Sequence, residues 1–248
     1  MAPSRRREDI GDDVVVLYGW HPVREALANP ARTVTRLLLS ENAERRLREE
    51  FADVRAPVEV VDPKVISNLL EPDAVHQGFY LEAEPLPALT LETLADNAVV
   101  VALDQITDPH NVGAIVRTAA AFKVDALLTT LRHSPAATGV LAKAASGGLE
   151  HVPLVAVRNL GDALTTLGKR GFLRVGLDSS GSGELGDIAV RTPLVLVLGA
   201  EGKGLRQRTR ECCDTLARLD MPGVIKSLNV SNAAAIALYA VTRRLNAT

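Results

Sequence analysis

Aromatic side chains are scarce in this 248-residue chain, which has one tryptophan, three tyrosines and four phenylalanines. So few argue against recognition of nucleic acid by stacking bases on an aromatic sheet. Cysteine is scarcer still: Cys212 and Cys213 are adjacent and fit neither a disulfide framework nor a zinc site, so no metal is expected. No apolar run approaches the roughly 18 residues of a membrane span, so no membrane partner is expected. Residues Met1 to Asp13 are basic and then acidic, with no apolar stretch of the kind a secretory signal carries. A cytoplasmic protein is the resulting expectation. Charge of one sign is lacking too, with 28 Lys and Arg against 30 Asp and Glu. At face value that balance speaks against a nucleic-acid partner.

What is present is an ordinary globular composition, 47% hydrophobic and 23% charged, in a chain long enough for a proper core. Pro85 and Pro87 mark a composition break, where missing backbone donors and an extended path suit a linker. The expected organisation is a disordered tail at 1–14, a small domain at 15–84, a linker at 85–97 and a larger domain at 98–248. Residues 1–84 hold 11 basic and 16 acidic side chains, whereas 85–248 hold 17 basic and 14 acidic. The basic excess therefore belongs to the larger part.

In the N-terminal part the pattern predicts strands at 33–39, 58–61 and 79–81, with helices at 41–52 and 63–70. Pro63 suits a first helical turn, where its missing N–H matters least. This is a small α/β module. In the C-terminal part, strands are predicted at 99–103, 126–130, 152–157, 172–177, 194–198 and 216–219. Helices are predicted at 112–122, 136–146, 160–169, 205–213 and 230–245. Continuous apolar strands with helices between them indicate a parallel sheet covered on both faces. Ligands of such sheets bind at the carboxyl ends of the strands, so the loops after Leu103, Leu198 and Leu219 are the informative ones.

The first loop, Asp104 to Gly113, has turn chemistry at Asp108-Pro109, and Asn111 suits a helix cap. The helix beyond it carries an apolar stripe of Val112, Ile115, Val116, Ala119 and Phe122. Its other face shows Arg117 among glycine, alanine and threonine, which points to close packing there and to a functional arginine. The second loop, Gly199-Ala-Glu-Gly-Lys-Gly204, has three glycines that permit close backbone approach to a ligand. It is not a Walker A loop and is a poor match to the dinucleotide fingerprint. Lys203, Arg206, Arg208 and Arg210 crowd just beyond, either as a solvated helix face or as phosphate contacts. In the third loop Ser227, Asn229 and Ser231 offer side-chain hydrogen bonds, of which capping the last helix needs only one. That helix is apolar on nearly every face, so it is either deeply buried or half of a subunit interface.

Three stretches together resemble the ordered motifs of the SpoU (TrmH) family, RNA ribose 2′-O-methyltransferases of the SPOUT class. They are Asp104-x3-Asp-Pro-His-Asn-Val-Gly-Ala-x2-Arg117, Leu198-Gly-Ala-Glu-Gly-x-Gly-Leu205 and Met221-Pro-Gly-x3-Ser-Leu-Asn-Val-Ser231. Ala74-Val-His-Gln-Gly78 and Tyr18-Gly-x-His-Pro22 are similar to the N-terminal substrate-binding domain of the family's large-rRNA branch. The resemblance implies an α/β SPOUT domain with a parallel sheet and a deep trefoil knot, preceded by an L30e-like RNA-binding domain. It further implies a homodimer, S-adenosylmethionine as cofactor and RNA as substrate, with a guanosine of 23S rRNA the expected target.

By matched position, Gly199, Leu219 and Leu228 would contact the cofactor through loop backbone, with Gly204 and Met221 beside them. Asn111, Arg117, Glu201, Ser227 and Asn229 would form the catalytic constellation, with Glu201 fixing either Arg117 or its own loop. Lys203, Arg206, His76 and Gln77 would contact RNA. His110 is the one histidine within the motifs, and a guanidinium stays protonated in proteins. Arg117 is therefore expected to clamp the RNA phosphate and developing alkoxide, not to act as base. Two rival readings are a tRNA ribose methyltransferase and a non-catalytic RNA-binding assembly factor of the same fold.

Overall fold

A computed structural model describes residues 14–132 and 139–246. The expected tail at 1–14 lies, but for its last residue, outside that range. The chain forms two compact units: residues 1–87 with 136–150, and residues 88–135 with 151–248.

The first unit begins with β1 (Val15–Tyr18), α1 (Trp20–Ala28), β2 (Val34–Leu39) and α2 (Glu41–Glu50). It continues through β3 (Val58–Val60), α3 (Pro63–Ser67) and β4 (Phe79–Ala83). The strands make one sheet in the order β1-β4-β2-β3, with β2–β3 parallel and the β4 pairings antiparallel. Alternation along the strands supplies two cores. Leu37, Leu39, Phe79 and Leu81 face α1 and α2, while Leu38 and Tyr80 pack with Ile66 of α3. Ser40 caps α2 by accepting from the Ala43 amide at 3.3 Å, and Asp62 caps α3 by accepting from the Lys64 amide at 2.8 Å. The sequence reading missed β1 and α1, although Val14 to Tyr18 is a short apolar run of strand length.

The remaining elements, in chain order, are β5 (Val99–Asp104), α4 (Pro109–Ala121), β6 (Ala126–Thr130), α5 (Gly139–Ala145), β7 (Leu154–Val157) and α6 (Leu160–Lys169). They continue with β8 (Leu173–Leu177), β9 (Gly183–Glu184), β10 (Leu194–Gly199), α7 (Gln207–Glu211), β11 (Thr215–Arg218) and α8 (Val230–Leu245). The seven strands other than those of the first unit form a wholly parallel sheet in the order β7-β6-β5-β10-β8-β11-β9. Strands β5 and β10 lie at its centre, and Val100–Leu103 and Leu194–Leu198 are buried, as continuous apolar runs demand. One face is covered by the α6 stripe of Leu160, Ala163, Leu164 and Leu167. Helices α4 and α8 pack on each other, with Ile115, Val116 and Ala119 of one and Ala234, Ala237 and Leu238 of the other fully buried.

Two boundaries differ from the sequence reading. Helix α5, expected within a continuous domain at 98–248, falls in the first unit, where Ala142 joins the core of Leu37 and Phe79. Glu150, at the end of the same segment, receives Arg32 at 2.7 and 3.2 Å and Asn29 at 2.8 Å. Both charged side chains are at most 4% exposed, so removing either would strand a buried charge. Local periodicity identifies a helix here but carries no information about which sheet it covers. Within the expected linker, Leu94 is buried in the second unit's core and Leu89 and Leu91 pack on it. Arg170 donates to the carbonyls of Leu91 and Leu94 and so holds this stretch on the second unit.

Candidate active site on the second unit

The carboxyl ends of β5, β10 and β11 bring the three loops together. Asp104, the last residue of β5, is fully buried and accepts from the Arg206 amide at 2.9 Å and from Arg206 Nε at 2.6 Å. That charge-assisted pair ties the root of the first loop to the end of the second. Arg206, expected on RNA, therefore has its guanidinium committed to an internal carboxylate. The β10 loop folds back on itself, with the Gly204 amide donating to the Ala200 carbonyl at 2.9 Å. A Cβ on Gly199 would lie 2.3 Å from the Gly204 carbonyl carbon, so only glycine permits this crossing.

The cap of α4 is Asp108, which accepts from the His110 amide at 3.0 Å, with Pro109 at the first helical position. Asn111 was expected to be that cap. Because Asp108 takes the role, Asn111 sits inside the first turn with its side chain free for other partners. Asn229 does cap α8, accepting at Oδ1 from the Ser231 amide at 2.9 Å and the Ser231 hydroxyl at 2.6 Å. That cap fixes the amide's orientation, because Oδ1 is used and Nδ2 must point away.

Nδ2 of Asn229 reaches Glu201 Oε1 at 2.8 Å and Asn111 Oδ1 at 2.9 Å. Glu201 Oε1 also accepts from the Val230 amide at 3.1 Å and, more weakly, from Asn111 Nδ2 at 3.4 Å. Glu201, Asn111 and Asn229 are thus one network joining all three loops. Of the two roles expected for Glu201, the network matches fixing of the loops. Arg117 is exposed on α4, and its side chain has no hydrogen-bond or ion-pair partner among the described residues.

A cavity of about 460 Å³ opens beside this network, within the range that holds nucleoside-sized ligands. Gly199, Gly204, Leu219, Met221 and Leu228 all line it, as do Glu201 and Ser227. Its apolar wall of Leu177, Leu198, Leu219 and Leu228 suits a flat heterocycle, and its polar rim carries Asp178 and Ser227. Asn111, Arg117 and Lys203 are not among its lining residues.

The loop after β8, carrying Asp178 and Ser179, was missed in the sequence. Its signal was a polar Asp-Ser-Ser-Gly turn after an apolar strand, but the adjacency of β8 to both β10 and β11 is not readable locally. Burial alone would push the Asp178 carboxyl up. Hydrogen bonds from the Ser180 hydroxyl at 2.7 Å and its amide at 2.9 Å, with Arg210 nearby, outweigh that and hold it below the usual value. Among the described residues no cluster of His, Cys, Asp and Glu is arranged to hold a metal ion.

On the first unit, His76 and Gln77, both expected on RNA, make internal contacts. His76 Nδ1 accepts from the Gly78 amide at 3.1 Å, which leaves Nε2 to donate to the Ser67 hydroxyl at 3.1 Å. Burial, with Lys143 close by, lowers the pKa of the ring and favours this neutral form. Gln77 Oε1 accepts from the Trp20 amide at 3.2 Å and from Lys143 at 3.4 Å.

Comparison with known proteins agrees with this architecture. Residues 98–239 match the model of the SpoU rRNA methylase family, and residues 16–89 match the RNA 2′-O ribose methyltransferase substrate-binding domain. The chain is 38% identical to the 23S rRNA (guanosine-2′-O-)-methyltransferase RlmB of Pseudomonas aeruginosa, over 92% of this chain and 96% of that protein. It is 30% identical to a putative TrmH family tRNA/rRNA methyltransferase of Staphylococcus saprophyticus, over 94% and 96% of the two chains. The crystal structure of the SpoU methyltransferase AviRb from Streptomyces viridochromogenes, in complex with AdoMet, superposes with a TM-score of 0.79 at 26% identity. That match covers 94% of this chain and 90% of the other. No described helix is long and apolar enough to cross a membrane.

Proposed function

The chain belongs to the SpoU rRNA methylase family, and from that membership we propose that it methylates a ribose 2′-hydroxyl of RNA, a guanosine of 23S rRNA. The observation that carries this reading is the lined cavity abutting the Glu201–Asn111–Asn229 network at the carboxyl ends of the parallel strands. The identity to 23S rRNA guanosine methyltransferases over nearly the whole chain favours large-subunit rRNA above tRNA.

S-adenosylmethionine is the methyl donor, supplying an electrophilic methyl group on a sulfonium. Gly199, Gly204, Leu219, Met221 and Leu228 would hold it in the cavity. The family's deep trefoil knot would form the floor of that cavity, and the L30e-like first unit would bind RNA in the cytoplasm. What this chain's own residues would contribute is to hold a ribose 2′-oxygen in line with that methyl group. Much of the rate comes from alignment, which a rigid three-loop network favours. Asn111, Asn229 and Ser227 orient the ribose, and Glu201 locks the loops. Arg117 clamps the neighbouring phosphate with its guanidinium fork and stabilises the developing alkoxide.

Because Arg117 does not line its own chain's cavity, a second copy of the chain would complete the site. Half-exposed Ile236 and Tyr239 on α8 are the apolar surface that such a homodimer would cover. Sedimentation showing a fully active monomer would reject that part of the reading. The whole is tested by transferring labelled methyl to purified 23S rRNA and to tRNA. Label on 23S rRNA supports it, label on tRNA alone moves the target, and label on neither favours a non-catalytic RNA-binding protein.

A further inference from the structure

The second unit has another cavity, of about 320 Å³, at the carboxyl ends of β6 and β7. Arg132, Arg158, Arg206 and Arg208 line it with Thr130, Asn159, Leu160, Gly161 and Thr209, and among the described residues no acidic side chain lines it. Arg206 is neutralised by Asp104, as described above. Arg132, Arg158 and Arg208 are exposed, and none of their guanidinium groups has an ion-pair or hydrogen-bond partner among the described residues. Three unpaired guanidinium groups around one concavity repel one another, and an anion between them removes that repulsion.

The backbone adds to this. Asn159 caps α6, so the first amides of a ten-residue helix lie at the cavity wall with the positive end of its dipole. Gly161, in that first turn, has no side chain to obstruct Arg208: a Cβ there would lie 3.1 Å from Arg208 Cγ.

The geometry points to a subsite for the phosphodiester backbone of the RNA substrate, held by Arg132, Arg158 and Arg208. The inference rests on the reading that RNA is the substrate. One continuous segment links the two cavities, since Gly199 to Gly202 and Gly204 of the β10 loop line the first and Arg206, Arg208 and Thr209 the second. In the sheet, β6 lies two strands from β10, roughly 10 Å away. A strand of RNA with its reactive ribose at the first cavity would place a flanking phosphate over the arginines. Phosphate contacts of this kind position the chain and carry no sequence information.

The test uses Arg132→Gln, Arg158→Gln and the double variant, in the full chain. Equilibrium binding of a 23S rRNA transcript is measured across salt concentrations, alongside methyl-transfer kinetics and S-adenosylmethionine binding. Each substitution is expected to weaken RNA binding about threefold or more at low salt and to lower the log–log salt slope by about 0.7. KM for RNA should rise while kcat at saturating RNA, cofactor affinity and Tm stay at wild-type values. Inorganic phosphate should compete with RNA in the wild type and lose that effect in the double variant. Unchanged RNA affinity and salt slope overturn the subsite. Weaker binding with an unchanged slope also overturns it, because the contact would then not be electrostatic. A wild type that methylates no RNA, yet shows the expected slope change in the variants, sinks the enzymatic reading and leaves the subsite standing.

Discussion

Asn229 donates from Nδ2 to Glu201 Oε1 at 2.8 Å while its Oδ1 caps α8, so a helix cap and an active-site bond share one side chain. The start of α8 is therefore coupled to the glycine loop after β10, and both to Asn111.

Removing the acceptor tests that coupling. Glu201→Ala leaves the Asn229 amide and the Val230 N–H without their shared oxygen, although water can replace it at this exposed rim. Stability should fall by about 1 kcal/mol in urea unfolding. The turnover number should fall by about tenfold or more, because the loops lose their common register. Unchanged turnover would mean that the network is not needed for alignment.

Two glycines in one loop separate steric from conformational demands. A Cβ at Gly199 would collide with Gly204 backbone, and Gly199→Ala should weaken S-adenosylmethionine binding at least about tenfold by calorimetry. Gly202 has φ +72° but open space around it. Gly202→Ala should cost about 1 kcal/mol of stability and leave cofactor binding near wild type. Equal losses at the two positions would contradict this account.

The Arg117 side chain has no partner among the described residues, so Arg117→Lys should leave Tm within about a degree of wild type. It should lower kcat by about a hundredfold, since an ammonium keeps the charge but lacks the guanidinium fork. Methylation at the wild-type rate would exclude the clamp. A shallow rise of rate with pH that disappears in Arg117→Ala would instead assign Arg117 as the base.

Asp178 gives a pH dependence. Its folded pKa is depressed below the ordinary 3.8, so its stabilising contribution is fully present above that value and is lost as pH falls through the folded pKa. The stability difference between wild type and Asp178→Asn should be constant near neutral pH and shrink only below about pH 4. Denaturant titrations at several pH values would show it. A difference that grows on acidification would reverse the assigned sign.

The fold class was legible because the strands of the second unit are continuous apolar runs and α6 and α8 carry clear helical periodicity. The residues placed at the cavity were legible as loop residues following strands. Three things were not. The assignment of α5 to the first unit depends on Ala142 meeting Phe79 and Leu37, and Glu150 meeting Arg32, all far away in the sequence. The capping role of Asp108 instead of Asn111 is a choice between plausible caps three residues apart, with Pro109 at the first helical position after Asp108. The Asp178 loop joins the cavity only because β8 neighbours β10, a matter of sheet order. Lys203 to Arg210 read as one basic cluster, but Arg206 is neutralised by Asp104 and Arg208 turns to a separate cavity with Arg132 and Arg158.

The central claim, ribose 2′-O-methylation of 23S rRNA, is tested most directly by nucleoside mass spectrometry. Unmodified 23S rRNA would be incubated with the protein and S-adenosylmethionine, then digested completely. The account predicts the appearance of 2′-O-methylguanosine with wild-type protein and its loss with Arg117→Ala. A methyl group on a base, or no new methylated nucleoside, would contradict it.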